Sequence, residues 1–243
     1  MHLRPLRRAS ALFLLASLAG APPAFSGTKL DLSPYLGQLR QPGDFKVYAW
    51  STGGTRTVTT LDVQPWTKGW AFRVESELAG TPGGDSVSTF ESYLIPGRQL
   101  LSGSQHFDGF DFAVSKPAKG LKLFTTPGKV QRTKAKAALL VNGQQVGAVL
   151  RLGAWIAEGF ETVTTPSGTH PGALRARSFS GIGIFDGFDE YVHLYDETLW
   201  YAEELGLVKA QTRVETWVNG VLTDTQKWTE TLASGSLDGV PFP

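Results

Sequence analysis

The chain reads as an all-β protein, a single curved antiparallel sheet or incomplete β-barrel with a short N-terminal helix. Three observations predict this. From Phe45 onward no apolar repeat of helical period runs for the length of a helix. Segments rich in Val, Thr, Tyr, Trp and Phe recur instead between Gly, Pro, Asn and Asp breakers. Asn219-Gly220, a strong type I′ turn signal, joins two long runs of Thr, Val and Trp. A hydrophobic fraction of 41% with 11% aromatics supplies the material for a packed core and excludes wholesale disorder.

In chain order, residues 1–26 have the form of a secretory signal peptide: Arg4, Arg7 and Arg8 precede the apolar run Ala11 to Ala19 and a polar, Pro-containing stretch. Ala24-Phe25-Ser26 offers a small-x-small cleavage site that makes Gly27 the first mature residue, with cleavage after Ala24 as the alternative. The apolar run is far shorter than the roughly 20 residues a membrane-spanning helix needs. Ser33-Pro34 followed by Tyr35, Leu36 and Leu39 then reads as a short helix, capped by Ser33 with Pro34 at its first position. Pro42-Gly43 ends it.

The expected strands are 45–52, 55–64, 69–79, 86–95, 98–107, 110–115, 120–125, 137–141, 144–152, 155–164, 172–184, 188–195, 198–203, 207–218 and 221–232. In the last hairpin a two-residue turn sets Val218 opposite Val221, Trp217 opposite Leu222, Thr216 opposite Thr223 and Val214 opposite Thr225. Arg213 then faces Gln226 and Lys209 faces Glu230. Alternation turns Val208, Ala210, Val214 and Val218 inward, against Lys209, Gln211, Arg213 and Glu215 on a wet face. The pentapeptide Phe-Asp-Gly-Phe-Asp occurs at 107–111 and again at 185–189, each copy reading as a hairpin turn with a Phe on either side. Lys116 to Lys136 is the most loop-like and basic stretch. No linker or low-complexity segment divides the chain, so 27–243 is read as one β-domain.

Charge and cysteine content exclude several functions. Without the leader, 20 basic side chains face 22 acidic ones, which is no basic stripe for a nucleic acid. With no cysteine there is no disulfide, thiol nucleophile, Cys-ligated zinc, iron-sulfur cluster or lipoprotein-type lipidation. An exported chain lacking disulfides fits a bacterial envelope.

Three stretches resemble a group of uncharacterised extracytoplasmic bacterial β-proteins filed under domain-of-unknown-function headings. Leu39 to Tyr48 looks like the group's "L-x-x-G-x-x-W-x-Y" opening strand, with Phe45 in the Trp position. Phe160 to Thr169, leading to Ala173-Leu174-Arg175, is similar to its "V-x-T-P-A-G-T-F" turn. Thr198-Leu199-Trp200-Tyr201-Ala202, leading to Gly206-Leu207-Val208-Lys209, is close to "W-Y-A-x-G-V-G-L-V-K". Glu203-Glu204-Leu205 departs from the usual Pro-Gly-Val, and His170-Pro171 stands where an aromatic is usual. The resemblance implies a curved sheet or incomplete barrel similar to the lipoprotein-carrier architecture of the bacterial envelope. It implies no catalytic residue, because the group has no agreed activity.

Nucleophile-elbow, P-loop, H-E-x-x-H, dinucleotide-fingerprint and EF-hand motifs do not occur. Of the histidines, His106, His170 and His193 follow the leader. Alternation puts Asp189, Tyr191, His193 and Tyr195 on one strand face, and His106, Asp108, Asp111, Asp186, Asp189 and His193 would converge if the two repeat turns lay together. Turn chemistry explains those Asp-Gly pairs without a metal, and no cofactor or metal is expected. Glu158 and Glu161, like Glu203 and Glu204, fall on opposite faces of a strand and make no natural acid pair. The 7 tryptophans are the most distinctive feature, since a curved aromatic sheet suits an apolar chain or stacked sugars. Trp200, Trp217, Tyr191 and Tyr195 are the candidate ligand contacts.

The function expected is non-catalytic: a periplasmic or secreted protein that binds a hydrophobic small molecule or an envelope partner protein. The alternatives are an envelope-polymer hydrolase using His106 or His193 with nearby carboxylates, and an outer-membrane β-barrel. Against the last, the terminal Asp238-Gly239-Val240-Pro241-Phe242-Pro243 is not an aromatic-ended strand.

Overall fold

Strands form here where β-branched and aromatic residues alternate with polar ones, and they reverse where a residue tolerates positive φ. Asn142-Gly143 and Asn219-Gly220 both adopt the paired positive φ of a type I′ turn, 50° and 76° in the first and 49° and 80° in the second. The computed structural model describes residues 29–36, 41–118 and 120–243. The expected signal peptide at 1–26 and Leu39, expected on the helix, lie outside them.

Among the described residues the elements are β1 (Leu30–Asp31), α1 (Ser33–Leu36), β2 (Phe45–Trp50), β3 (Thr55–Trp66), β4 (Gly69–Ala79), β5 (Ser86–Ile95), β6 (Gln99–Phe107), β7 (Phe110–Ala113), β8 (Phe124–Thr125), β9 (Gln131–Val141), β10 (Gln144–Thr165), β11 (Gly168–Phe185), β12 (Glu190–Ala202), β13 (Gly206–Val218), β14 (Val221–Leu237) and β15 (Val240–Phe242). α1 is a single turn, with the Ser33 amide donating to the Asp31 carboxylate at 2.8 Å.

The sheet closes into a barrel, going beyond the incomplete ring that alternation alone suggests. Each strand pairs antiparallel with its neighbours from β2 to β7, β9 takes the place beside β7, and the meander continues to β14. β14 completes a ring of 12 strands by pairing with both β13 and β2. Its length permits this. Residues Val221 to Thr231 pair with β13, whereas only Glu230 to Ser236 pair with β2. From Val221 to Trp228 the strand has β13 on one side and no second strand among the described residues. Thr229 is held by Ser51, whose amide donates to the Thr229 carbonyl at 2.8 Å.

Several expected details shift. Val218 faces Val221 and Trp217 faces Leu222, but a bulge at Thr223 then moves the register by one, so Thr216 faces Asp224 and Val214 faces Gln226. Of the expected inward set, Val208, Ala210 and Val214 are buried and Val218 is half-buried. Segments 144–152 and 155–164 form one strand, β10, and 188–195 and 198–203 merge into β12. Gln131 to Lys136, expected as loop, belongs to β9, where it pairs with Leu150 to Trp155.

One end of the barrel is plugged. Leu32, ahead of α1, and Leu123, ahead of β8, are 0% and 1% exposed and share a core cluster with Leu94, Trp155, Leu174, Leu199 and Ala210. Leu94 and Leu199 sit on β5 and β12, on opposite sides of the ring, so the side chains of Leu32 and Leu123 fill the bore between them. Fully burying a leucine contributes about 2 kcal/mol. The β10/β11 hairpin overshoots the wall at the same end, bending at register shifts near Gly159 and Val163. Its tip reaches β14, where the Ser167 amide donates to the Leu232 carbonyl at 3.2 Å.

Candidate functional site

The other end of the barrel is where the turns at Asp108-Gly109, Asn142-Gly143, Asp186 to Asp189 and Asn219-Gly220 gather, and its inner wall is largely apolar. Pairing carries one face around the ring: Phe90 and Gln105, Gln105 and Phe112, Phe112 and Leu139, then Ala137 and Val149. It continues through Ile184 opposite Tyr191, Ile182 opposite His193 and Ser180 opposite Tyr195. Phe107 stacks on Phe110 with ring centroids 4.8 Å apart and meets Phe112 edge-on at 5.0 Å. Phe112, Leu139 and Val149 are buried, with Phe107, Phe110, Ile182 and Ile184 packed against them. Yet Phe90, Phe107, Phe110, Ile182, Ile184, Tyr191, His193 and Tyr195 all remain only half-buried, unlike the leucines of the plug.

Below this apolar section lies a polar girdle. Glu230 of β14, nearly buried, accepts from the Arg56 guanidinium at 2.6 Å and from the Trp50 indole at 3.2 Å. Arg56 also lies over the Tyr48 ring at 4.8 Å. On β12, burial pushes the Glu197 carboxyl up despite a hydrogen bond with Ser178. Burial likewise raises Tyr195 and Tyr201, with the negative charge of Glu197 adding to it. Burial lowers the pKa of His193, whose Nδ1 is 3.1 Å from the Thr216 hydroxyl, and so favours the neutral imidazole. His193 and Glu197 share the inward face but stand four residues, or about 13 Å, apart along the strand. That exceeds hydrogen-bond reach for a cooperating acid and base. The arrangement is suited to holding an apolar chain and grading its polarity with depth.

The structure separates the predicted contacts. Tyr191 and Tyr195 line the lumen together with His193. Trp200 and Trp217 take the opposite face of their strands, opposite Lys209 and Val192 respectively. Trp200 is buried from outside, its indole bonded to the Glu161 carboxylate and its ring covered by the Lys209 ammonium at 4.9 Å. The repeated turns do lie at the same end, but their side chains do not converge. His106 and Asp111 form a cross-strand pair at 3.0 Å on the outer surface, about two-fifths exposed, whereas His193 faces inward. No three metal-ligating side chains cluster among the described residues. Glu158 and Glu161, expected on opposite faces, both reach Arg175, at 3.2 and 3.9 Å. The register shift between Ala157 and Gly159 inserts the extra residue that turns them to one side.

Sequence reasoning missed the Phe90/Phe107/Phe110/Phe112 wall and Arg151. Their signal was alternation within 86–115 and 144–152, legible only once the ring defines an inside. A second concavity, of about 430 Å³ at the plugged end, is lined by Lys29, Lys122, Lys129 and Arg132.

No family model and no curated protein matches the chain. Two solved structures share a distant likeness. One is a candidate lipoprotein from Parabacteroides distasonis, 12% identical, covering 81% of this chain and 96% of its own, with a TM-score of 0.46. The other is a candidate exported protein with a YmcC-like fold from Bacteroides fragilis, also 12% identical, covering 81% and 97%, with a TM-score of 0.41. At that distance nothing about this chain's chemistry rests on them.

Proposed function

We propose that the protein is a non-catalytic binding protein, exported to the periplasm or the cell exterior, that takes a hydrophobic ligand into the open half of its barrel. The observation that carries this reading is the contrast between the two halves of one interior. Around the plug Leu32, Leu94, Leu123 and Leu174 are 0–3% exposed; towards the open end Phe112, Leu139 and Val149 are buried behind Phe90, Phe107, Phe110, Ile182 and Ile184, which stay half-buried. Apolar surface that a chain leaves reachable inside a cup is what a small-molecule site requires. Tyr191 and Tyr195 contribute rings with a polar tip. Resemblance to the domain-of-unknown-function group of envelope β-proteins is part of the same proposal.

Charges on the outer wall, among them Arg73, Glu77, Lys134, Lys136 and Arg213, are exposed and sit badly with the lipid-facing band of an outer-membrane barrel. A partner protein is the second reading, favoured by the unpaired side of β14 beside the exposed Val221 and Leu222, 64% and 46% accessible.

Binding of N-phenylnaphthylamine to the purified protein, followed by its fluorescence, tests the ligand reading. The dye brightens with the wild-type protein, and Ile184→Trp, which fills the cup, abolishes the signal while the circular dichroism spectrum stays unchanged. Equal brightening with both proteins, or none with the wild type, overturns it.

A further inference from the structure

The inward face of β10 carries one cation, Arg151, at the boundary between the apolar wall and the plugged half. Its strand partners are Ala135 on β9 and Ile182 on β11, and Gly153 follows on the same face. None of these three neighbours offers the guanidinium a counter-charge or a side-chain acceptor. Beside it is a cavity of about 60 Å³, lined by the hydroxyl-bearing Ser102, Thr133 and Ser180, by Ile182 and by Lys134. No Asp or Glu lines it. Arg151 takes part in none of the ion pairs among the described residues, in contrast to Arg56, Arg175, Arg177 and Arg213. Burial pushes its pKa down from the ordinary value, with the nearby Tyr195 pulling the other way; an arginine nevertheless keeps its charge.

A cation taken out of water without a counter-ion destabilises a fold unless something anionic joins it. The cavity has about the room of two water molecules, enough for a carboxylate head. Ile182 lines this niche and also packs against Phe112, Leu139 and Val149, so the niche adjoins the apolar wall.

We infer that the lumen takes an anionic amphiphile, its acidic head paired with Arg151 among the Ser102, Thr133 and Ser180 hydroxyls and its hydrocarbon chain running along the Phe and Ile wall towards the mouth. This rests on the ligand reading above and adds the chemical class. Guanidinium and carboxylate match in geometry as two parallel charge-assisted hydrogen bonds, and a neutral alcohol of the same chain length makes neither.

The test is competition by decanoate and by decanol against N-phenylnaphthylamine at pH 7.5. With the wild-type protein decanoate displaces the dye at a concentration about tenfold or more below that of decanol, although it is the more water-soluble of the two. Arg151→Met binds the dye unchanged and loses the preference, and Arg151→Lys keeps part of it. Without ligand, Arg151→Met melts no lower than the wild type, because it removes an uncompensated charge. Equal displacement by acid and alcohol in the wild type, or an intact preference in Arg151→Met, overturns the assignment of Arg151 while leaving the ligand reading in place. Absence of dye binding to the wild type sinks the ligand reading, and this inference with it.

Discussion

Trp228 lies against Trp50 with ring centroids 5.0 Å apart and planes 13° from parallel, where β14 leaves β13 as its only neighbour and joins β2. The two indoles close the seam of the barrel from within. Glu230 ties the same place together by accepting from Trp50 and Arg56. The joint therefore has a stacked pair, an ion pair and two strand ladders in one turn of wall.

Trp50→Ala and Trp228→Ala each lower stability by about 2 kcal/mol, and the double-mutant cycle returns a coupling of about 1 kcal/mol, the range for a stacked aromatic pair. Urea unfolding of the four proteins measures it. Strict additivity would mean the rings do not act together.

Breaking the ion pair costs more. Glu230→Gln leaves Arg56 without its carboxylate in a largely buried setting and destabilises by about 3 kcal/mol. Glu197→Gln moves stability the other way at pH 8. Burial raises the folded-state pKa of Glu197 above its ordinary 4.5, so its contribution is fully present below that value and is lost as pH rises through the folded pKa. The gap in Tm between Glu197→Gln and wild type widens from pH 5 to pH 8; a constant gap refutes the burial argument.

The two halves of the interior differ in what truncation does. Leu32→Ala or Leu123→Ala opens a cavity in the plug and costs about 3 kcal/mol, whereas Ile184→Ala on the accessible wall costs about 1 kcal/mol. Equal losses would mean that the open half is packed like the plug, which thermal and urea denaturation can decide.

His170 provides an acid-sensitive contact. It is 8% exposed, its Nε2 lies 3.0 Å from the Thr165 hydroxyl, and burial lowers its pKa below 6.5. A depressed folded-state pKa means that its contribution is complete above 6.5 and is lost as pH falls from there through the folded value. His170→Gln, which retains a hydrogen-bonding side chain, flattens the decline in Tm between pH 7 and pH 5. A parallel decline in both proteins would assign the acid sensitivity elsewhere, with His193 next in line.

How far the sequence speaks for itself depends on the range of the physics. Local signals were legible: Asn219-Gly220 turns as a type I′ hairpin, and the first Phe-Asp-Gly-Phe-Asp copy turns with Phe107 paired to Phe110, whereas in the second Phe185 pairs with Glu190 and Phe188 is left exposed in the loop. Signals that need a second chain segment were not. The bulge at Thr223 shifts the partner of Thr216 because the strand must coil, and no residue there announces it. Closure depends on β14 being long enough to serve two neighbours. Inside and outside exist only after closure, which is why Tyr191 and Trp217, equally aromatic on adjacent strands, fall on opposite walls.

Ring closure joins Trp50 to Glu230, 180 residues apart in the chain, and the plug likewise waits for walls made much later than itself. Contacts of such sequence separation form slowly, since the entropy of closing the loop is lost before the pairing rewards it. A chain folding from its N-terminus thus holds two unzipped margins, β2 and β13, until β14 arrives. Its vulnerable moment is that interval, when proteases and holding chaperones compete for a half-made ribbon.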